Sequence, residues 1–134
     1  MNNRRSFIVG IKSLRLSSRE KSFLKRYKPW GVILFTRNIE NIKQTLKLTT
    51  SIRRIFKDKK YPILIDQEGG RVNRLKNIIS FDNLTSEYFG RKFVKNFKEF
   101  NSYYKLFVDK TSYLLKSIGV NINTSPVLDL RVKG

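Results

Sequence analysis

The stretch YPILIDQEGGRVNRL, residues 61–75, decides how this chain is read. Residues 62–65 form a short apolar run with branched side chains, bounded by charge before and glycine after, which predicts a buried strand rather than a helix. Everything polar follows at its carboxyl end. Asp66, Gln67 and Glu68 put two carboxylates and an amide on the turn. Gly69 and Gly70 permit backbone angles and a close ligand approach that a side chain would forbid. Arg71 and Arg74 follow at a spacing that, on a helical turn, places both guanidinium groups on one side. Two readings fit: a polar ligand site, or ordinary acid–glycine turn chemistry kept for solubility.

Working outward, residues 7–11 are a first strand candidate. Ser17 or Ser18 caps a helix that carries Glu20, Phe23, Leu24 and Tyr27, and Pro29 ends it. Residues 31–35, GVILF, are a second continuous apolar strand that closes on Thr36, Arg37 and Asn38. Asn41 caps the next helix, in which Ile42, Leu46, Thr49, Ile52 and Phe56 recur at the spacing of a buried face. The basic run 57–60 is a solvated link into the third strand. Beyond the central motif, residues 77–90 read as a mixed loop with a short helical turn. Residues 97–118 read as a long helix, with Phe97, Phe100, Tyr104, Phe107, Thr111, Leu114 and Ile118 as a core-packing stripe. Gly119 sits as a helix C-terminal glycine, and residues 120–124 lead into a fourth strand ending near Ser125, Pro126 and Val127.

Short apolar strands that do not alternate, separated by helices, mean a parallel sheet covered by helices. Four such units in 134 residues fit the N-terminal half of a TIM (β/α)8 barrel, whose usual length is about 250 residues. The alternative is an open doubly wound sheet, which loses support because no G-x-G-x-x-G follows the first strand.

Composition narrows the chemistry. An apolar content of 40% and an aromatic content of 13% argue for a packed domain despite a net charge of +19. The chain has no cysteine and no histidine. Disulfides, thiolate metal sites, zinc fingers and Cys/His nucleophilic dyads are thereby excluded from it. Arg4 and Arg5 followed by residues 7–11 imitate a secretory signal, but the apolar part falls short of the roughly 7 to 15 residues such a core needs. No apolar run approaches the ~20 residues of a membrane span. The expectation is a cytoplasmic protein with no membrane partner. The 29 Lys and Arg residues are spread along the chain rather than gathered in one tract, so nucleic acid is not the expected main partner.

The string D-Q-E-G-G-R-V-x-R-L at 66–75 resembles the third-strand signature of glycoside hydrolase family 3, in its β-N-acetylhexosaminidase branch. Residues 16–24 resemble that family's L-T-x-x-E-x-x-x-L opening, with Ser17 in place of the threonine. GVILFTRN at 31–38 resembles its second-strand signature. SIGVNINTSPVLDL at 117–130 is similar to its G-[VI]-N-x-x-x-[AS]-P-V-x-D segment. The resemblance implies a retaining enzyme that removes terminal N-acetylglucosamine, in many bacteria from cytoplasmic wall fragments during peptidoglycan recycling, without a cofactor.

Residue by residue, the resemblance implies that Asp66 accepts hydrogen bonds from sugar hydroxyls and that Arg74 supports the same subsite; Asp129 is expected to line the site from its place at the carboxyl end of a strand, the face where barrel enzymes carry their chemistry. Glu68 and Arg71 are expected to hold the turn as a local ion pair, with Gly69 and Gly70 shaping it and Arg37 and Asn38 organising the neighbouring loop. The family's proton donor is a histidine paired with an aspartate, after a K-H-F-P-G-H-G type segment, and its nucleophile is a later aspartate. Residues 1–134 contain neither segment. The expectation is a partial barrel domain, truncated before the catalytic loops, whose partners are an N-acetylglucosamine-containing saccharide and the missing half of the barrel. Two alternatives stay open: a non-catalytic sugar-binding remnant, or a basic module that binds nucleic acid or another polyanion.

Overall fold

Apolar runs of branched residues make the strands, and capped amphipathic stretches make the helices between them. The computed structural model describes residues 4–127. Its order is β1 (Arg5–Gly10), α1 (Ser18–Tyr27), β2 (Pro29–Leu34), a 3-10 turn (Thr36–Asn38), α2 (Ile42–Phe56), β3 (Ile63–Ile65), α3 (Ser86–Lys95), α4 (Phe97–Ser117) and β4 (Ile122–Asn123). The strands form one sheet in the order β1-β2-β3-β4, and every pairing is parallel. A doubly wound sheet would reverse its strand order part-way. No reversal occurs among the described strands.

The caps explain where the helices begin. Ser17 and Glu20 form a reciprocal capping box at the start of α1, and Asn41 accepts from the Gln44 amide at the start of α2. Helix α1 ends one residue before Pro29, on Lys28 in the left-handed region (φ 46°), and β2 begins at the proline itself.

The buried face of α2 differs from the expected stripe. Thr45, Leu48, Thr49 and Ile52 are buried, while Ile42 and Leu46 are exposed. Thr45 and Thr49 can be buried because their hydroxyls have carbonyl partners, Thr45 Oγ1 on Asn41 O at 2.8 Å and Thr49 Oγ1 on Ile118 O at 2.9 Å. A satisfied threonine packs as readily as a small apolar residue. The second bond ties α2 to the end of α4, beside Gly119 (φ 77°), where an added Cβ would lie 2.5 Å from that same hydroxyl.

The second difference is α3. Residues 77–90 are not all loop: Thr85 caps a ten-residue helix that runs through Gly90 to Lys95. The aromatic stripe of α4 then divides by partner. Its second half, Thr111, Leu114 and Ile118, is buried. Its first half meets α3 instead, with Phe89 against Tyr104 at 4.9 Å and against Phe107 at 5.2 Å.

The core gathers on β2 and β3, where Val32, Leu34, Ile63 and Ile65 are fully enclosed. Tyr61 closes its lower end. Its ring stacks on Phe56 at 3.8 Å, and its hydroxyl donates to Pro29 O at 2.9 Å.

Candidate functional site

A parallel sheet sends all its strand ends to one side, and the loops there are free to carry chemistry. Asp66 is the first residue after β3. Arg74 grips it with both ends of its guanidinium, Nε to Oδ1 at 2.7 Å and Nη2 to Oδ2 at 2.6 Å. The fork is partly open, with side-chain exposures of 24% for Asp66 and 26% for Arg74. Hydrogen bonding to Asp66 holds the Arg74 guanidinium above its ordinary pKa, and the nearby charge of Glu68 adds to the effect. Each carboxylate oxygen accepts more than one hydrogen bond. Asp66 therefore keeps acceptor capacity for a ligand after Arg74 has fixed its plane.

The turn that brings these groups together is not helical. The chain doubles back at an isolated antiparallel bridge between Gly69 and Val72, and the Glu68 and Gly69 amides both donate to Val72 O. Both glycines are required. Gly69 has φ 91°, and an added Cβ would lie 2.2 Å from Leu84 O, while Gly70 has φ 57° and would press on Thr85 at 2.6 Å. The reversal separates the two arginines: Arg74 turns to Asp66, and Arg71 points to solvent. Among the described residues no ion pair joins Arg71 to Glu68.

Gln67 is the residue that the sequence reading placed on the polar turn and the structure buries, at 1% exposure. Side chains alternate along extended backbone, so when Asp66 faces out Gln67 must face in. Its Oε1 accepts from the Leu75 amide at 3.0 Å, which pins the far side of the loop. Its Nε2 is buried without a partner. Its own backbone is held by Asn123, whose Oδ1 accepts from Gln67 N at 2.9 Å and whose Nδ2 donates to Gln67 O at 3.1 Å. Asn121 acts in the same way below, accepting from Ile63 N and donating to Lys60 O and Tyr61 O. Two side-chain amides thus extend the short β3–β4 ladder at both ends. The signal was visible only as an N-x-N spacing.

At the end of β2, Asn38 is fully buried and ties three backbone groups: its Oδ1 accepts from Phe35 N, and its Nδ2 donates to Ile11 O and Ser13 O. Arg37 donates to Ile11 O at 3.0 Å. Phe35 is an addition to the expected set. Its ring carries the Arg37 guanidinium at 4.5 Å and the Arg74 guanidinium at 5.5 Å, so it links the ends of β2 and β3. Asp129 lies outside the described residues. Among those residues no three His, Cys, Asp or Glu side chains gather as metal ligands would.

No family model matches the chain. The beta-hexosaminidase of Hydrogenovibrio crunogenus is 35% identical to it over 123 residues, covering 92% of this chain and 34% of that protein. The crystal structure of native NagZ from Neisseria gonorrhoeae matches with a TM-score of 0.81 at 28% identity, over 95% of this chain and 37% of that one. Over these residues the chain is similar to the bacterial beta-hexosaminidases. The same NagZ in complex with N-trifluoroacetyl-D-glucosamine matches at a TM-score of 0.71 and 27% identity, over 95% of this chain and 38% of that one. A glycoside hydrolase family 3 beta-N-acetylglucosaminidase from Paenibacillus sp. matches at 0.72 and 25% identity, over 92% of this chain and 23% of that one. The chain spans about a third of the length of the curated hexosaminidases it matches.

Proposed function

We propose that this chain forms the sugar-holding side of a β-N-acetylhexosaminidase site, on strands that are the first half of a (β/α)8 barrel. The observation that carries the reading is the Asp66–Arg74 fork at the carboxyl end of β3. A carboxylate held flat by a guanidinium offers ionised acceptors to sugar hydroxyls, and such hydrogen bonds are stronger than neutral ones. The half-barrel reading is supported by strands that follow one another around the sheet in chain order. Asp129 belongs to the same proposal as a lining residue. Gly69 and Gly70 shape the loop, with Glu68 and Arg71 on it, and Arg37 and Asn38 brace the next. The cytoplasm and the recycling of wall saccharides are the setting this reading implies.

Retaining hydrolysis needs a proton donor and a nucleophile on either side of the scissile bond. The chain has no histidine to act as the donor that the resemblance implies. These residues therefore bind and orient the sugar, and the catalytic pair comes from elsewhere in the complete site. Two measurements test this on the purified chain. An aryl N-acetylglucosaminide should release no phenol, and measurable release would overturn the division of labour. Calorimetric titration with N-acetylglucosamine should show binding that weakens about tenfold or more in Asp66→Ala. Equal binding by the two proteins would remove Asp66 from the subsite.

A further inference from the structure

Residues 91–98 read RKFVKNFK, in which four cations interleave with three large apolar residues and no acid occurs. The structure puts this stretch at a corner. Asn96, with extended backbone, ends α3 and caps α4, so the two helices meet with a single residue between them. On the outside of that corner Phe93 is 51% exposed, Val94 86% and Phe97 62%. The rings are not loose: Phe93 packs edge-on against Phe97 at 5.5 Å and Phe100 at 5.2 Å. The nearby acids are already matched, Glu87 with Arg91 and Glu99 with Lys92. Among the described residues Lys95 and Lys98 enter no ion pair.

We propose that the α3–α4 corner docks this protein on an anionic phospholipid surface, with Phe93, Val94 and Phe97 entering the interfacial layer and Lys95 and Lys98 meeting lipid phosphates. A rigid apolar knob with unmatched cations at its base complements a surface that yields to the knob and carries negative charge. The overall charge of +19 adds long-range attraction to such a surface. Single-stranded nucleic acid shares the charge complementarity but fits the knob less well. Val94, the most exposed of the three, has no ring to stack on a base. Phe93 and Phe97 are tilted 83° to one another rather than laid out as parallel platforms. The contact is at the bilayer surface: among the described residues no helix is long and apolar enough to cross a membrane. It replaces the sequence-based expectation of no membrane partner, and it does not depend on the sugar site.

The test is flotation of the full chain with phosphatidylcholine–phosphatidylserine vesicles, beside pure phosphatidylcholine. The wild type should float with the anionic vesicles only. Phe93→Ser/Val94→Ser/Phe97→Ser, whose charge is unchanged, should lose binding by about tenfold or more. Val94→Asp guards against a folding defect, because that side chain is almost wholly in solvent, and it should also weaken flotation. Lys21→Ala/Lys43→Ala lowers the net charge elsewhere and should float nearly as well as the wild type. The proposal is overturned if the wild type stays in solution, or if the triple variant floats as well as the wild type. It is equally overturned if the triple substitution abolishes binding to a single-stranded oligonucleotide while leaving flotation intact.

Discussion

Tyr61 shows how much one side chain settles here. Its ring fills the space under β2 and β3, its hydroxyl occupies the carbonyl of Pro29, and the Arg4 guanidinium lies 4.8 Å above the ring centre. Burial pushes the phenol well above its ordinary pKa of 10.0. The folded state therefore keeps a proton that the unfolded chain gives up, so this part of the stability is complete below pH 10.0 and declines as the pH rises beyond it. Tyr61→Phe keeps the ring and strands the carbonyl, which should cost about 1–3 kcal/mol at neutral pH. Urea unfolding of the two proteins should show that gap closing as the pH climbs past 10.0, because only the wild type carries this titration. A gap that stays constant would mean that the phenol is not held neutral by its burial.

At the scale of elements, α3 and its junction with α4 make two predictions of opposite sign. Gly90 lies inside α3, and a Cβ built there meets nothing within 4 Å. Gly90→Ala should therefore stabilise the protein by about 0.5–1 kcal/mol, through helix propensity alone. Asn96 accepts from the Glu99 amide at 3.1 Å, and Asn96→Ala should destabilise by about 1 kcal/mol. Thermal melts of both variants decide the matter. Gly90 is also why α3 was hard to read: a glycine in mid-helix and an asparagine at its end are both loop signals, whereas the true start was a single Thr85. Strands were easier, since GVILF and PILI carry their burial in composition. Of the candidate site, the resemblance named Asp66 and Arg74, which the structure pairs with each other, but the Gly69–Val72 reversal that separates Arg71 from Arg74 depends on contacts with Phe81 and Leu84, distant from it in the chain. The amide clasps of Asn121 and Asn123 on β3 span still longer separations, which no local pattern encodes.

For the whole molecule, charge and open edges pull against each other. Among the described residues β1 pairs only with β2, and β4 only with β3, so each offers an unpaired flank. The charge of +19 keeps copies apart at low ionic strength, and salt removes that protection once the screening length falls to about 10 Å or less. Sedimentation velocity should show a species that grows with added salt; a monomer at every salt concentration would count against open sheet edges. The order of the sheet has a further consequence, in time rather than space. Because the strands lie side by side in the sequence in which a ribosome delivers them, each emerging strand finds its partner already made. The longest wait falls between β3 and β4, while the α3–α4 hairpin is being synthesised, and during it the apolar flank of β3 is the surface that a nascent-chain chaperone would meet.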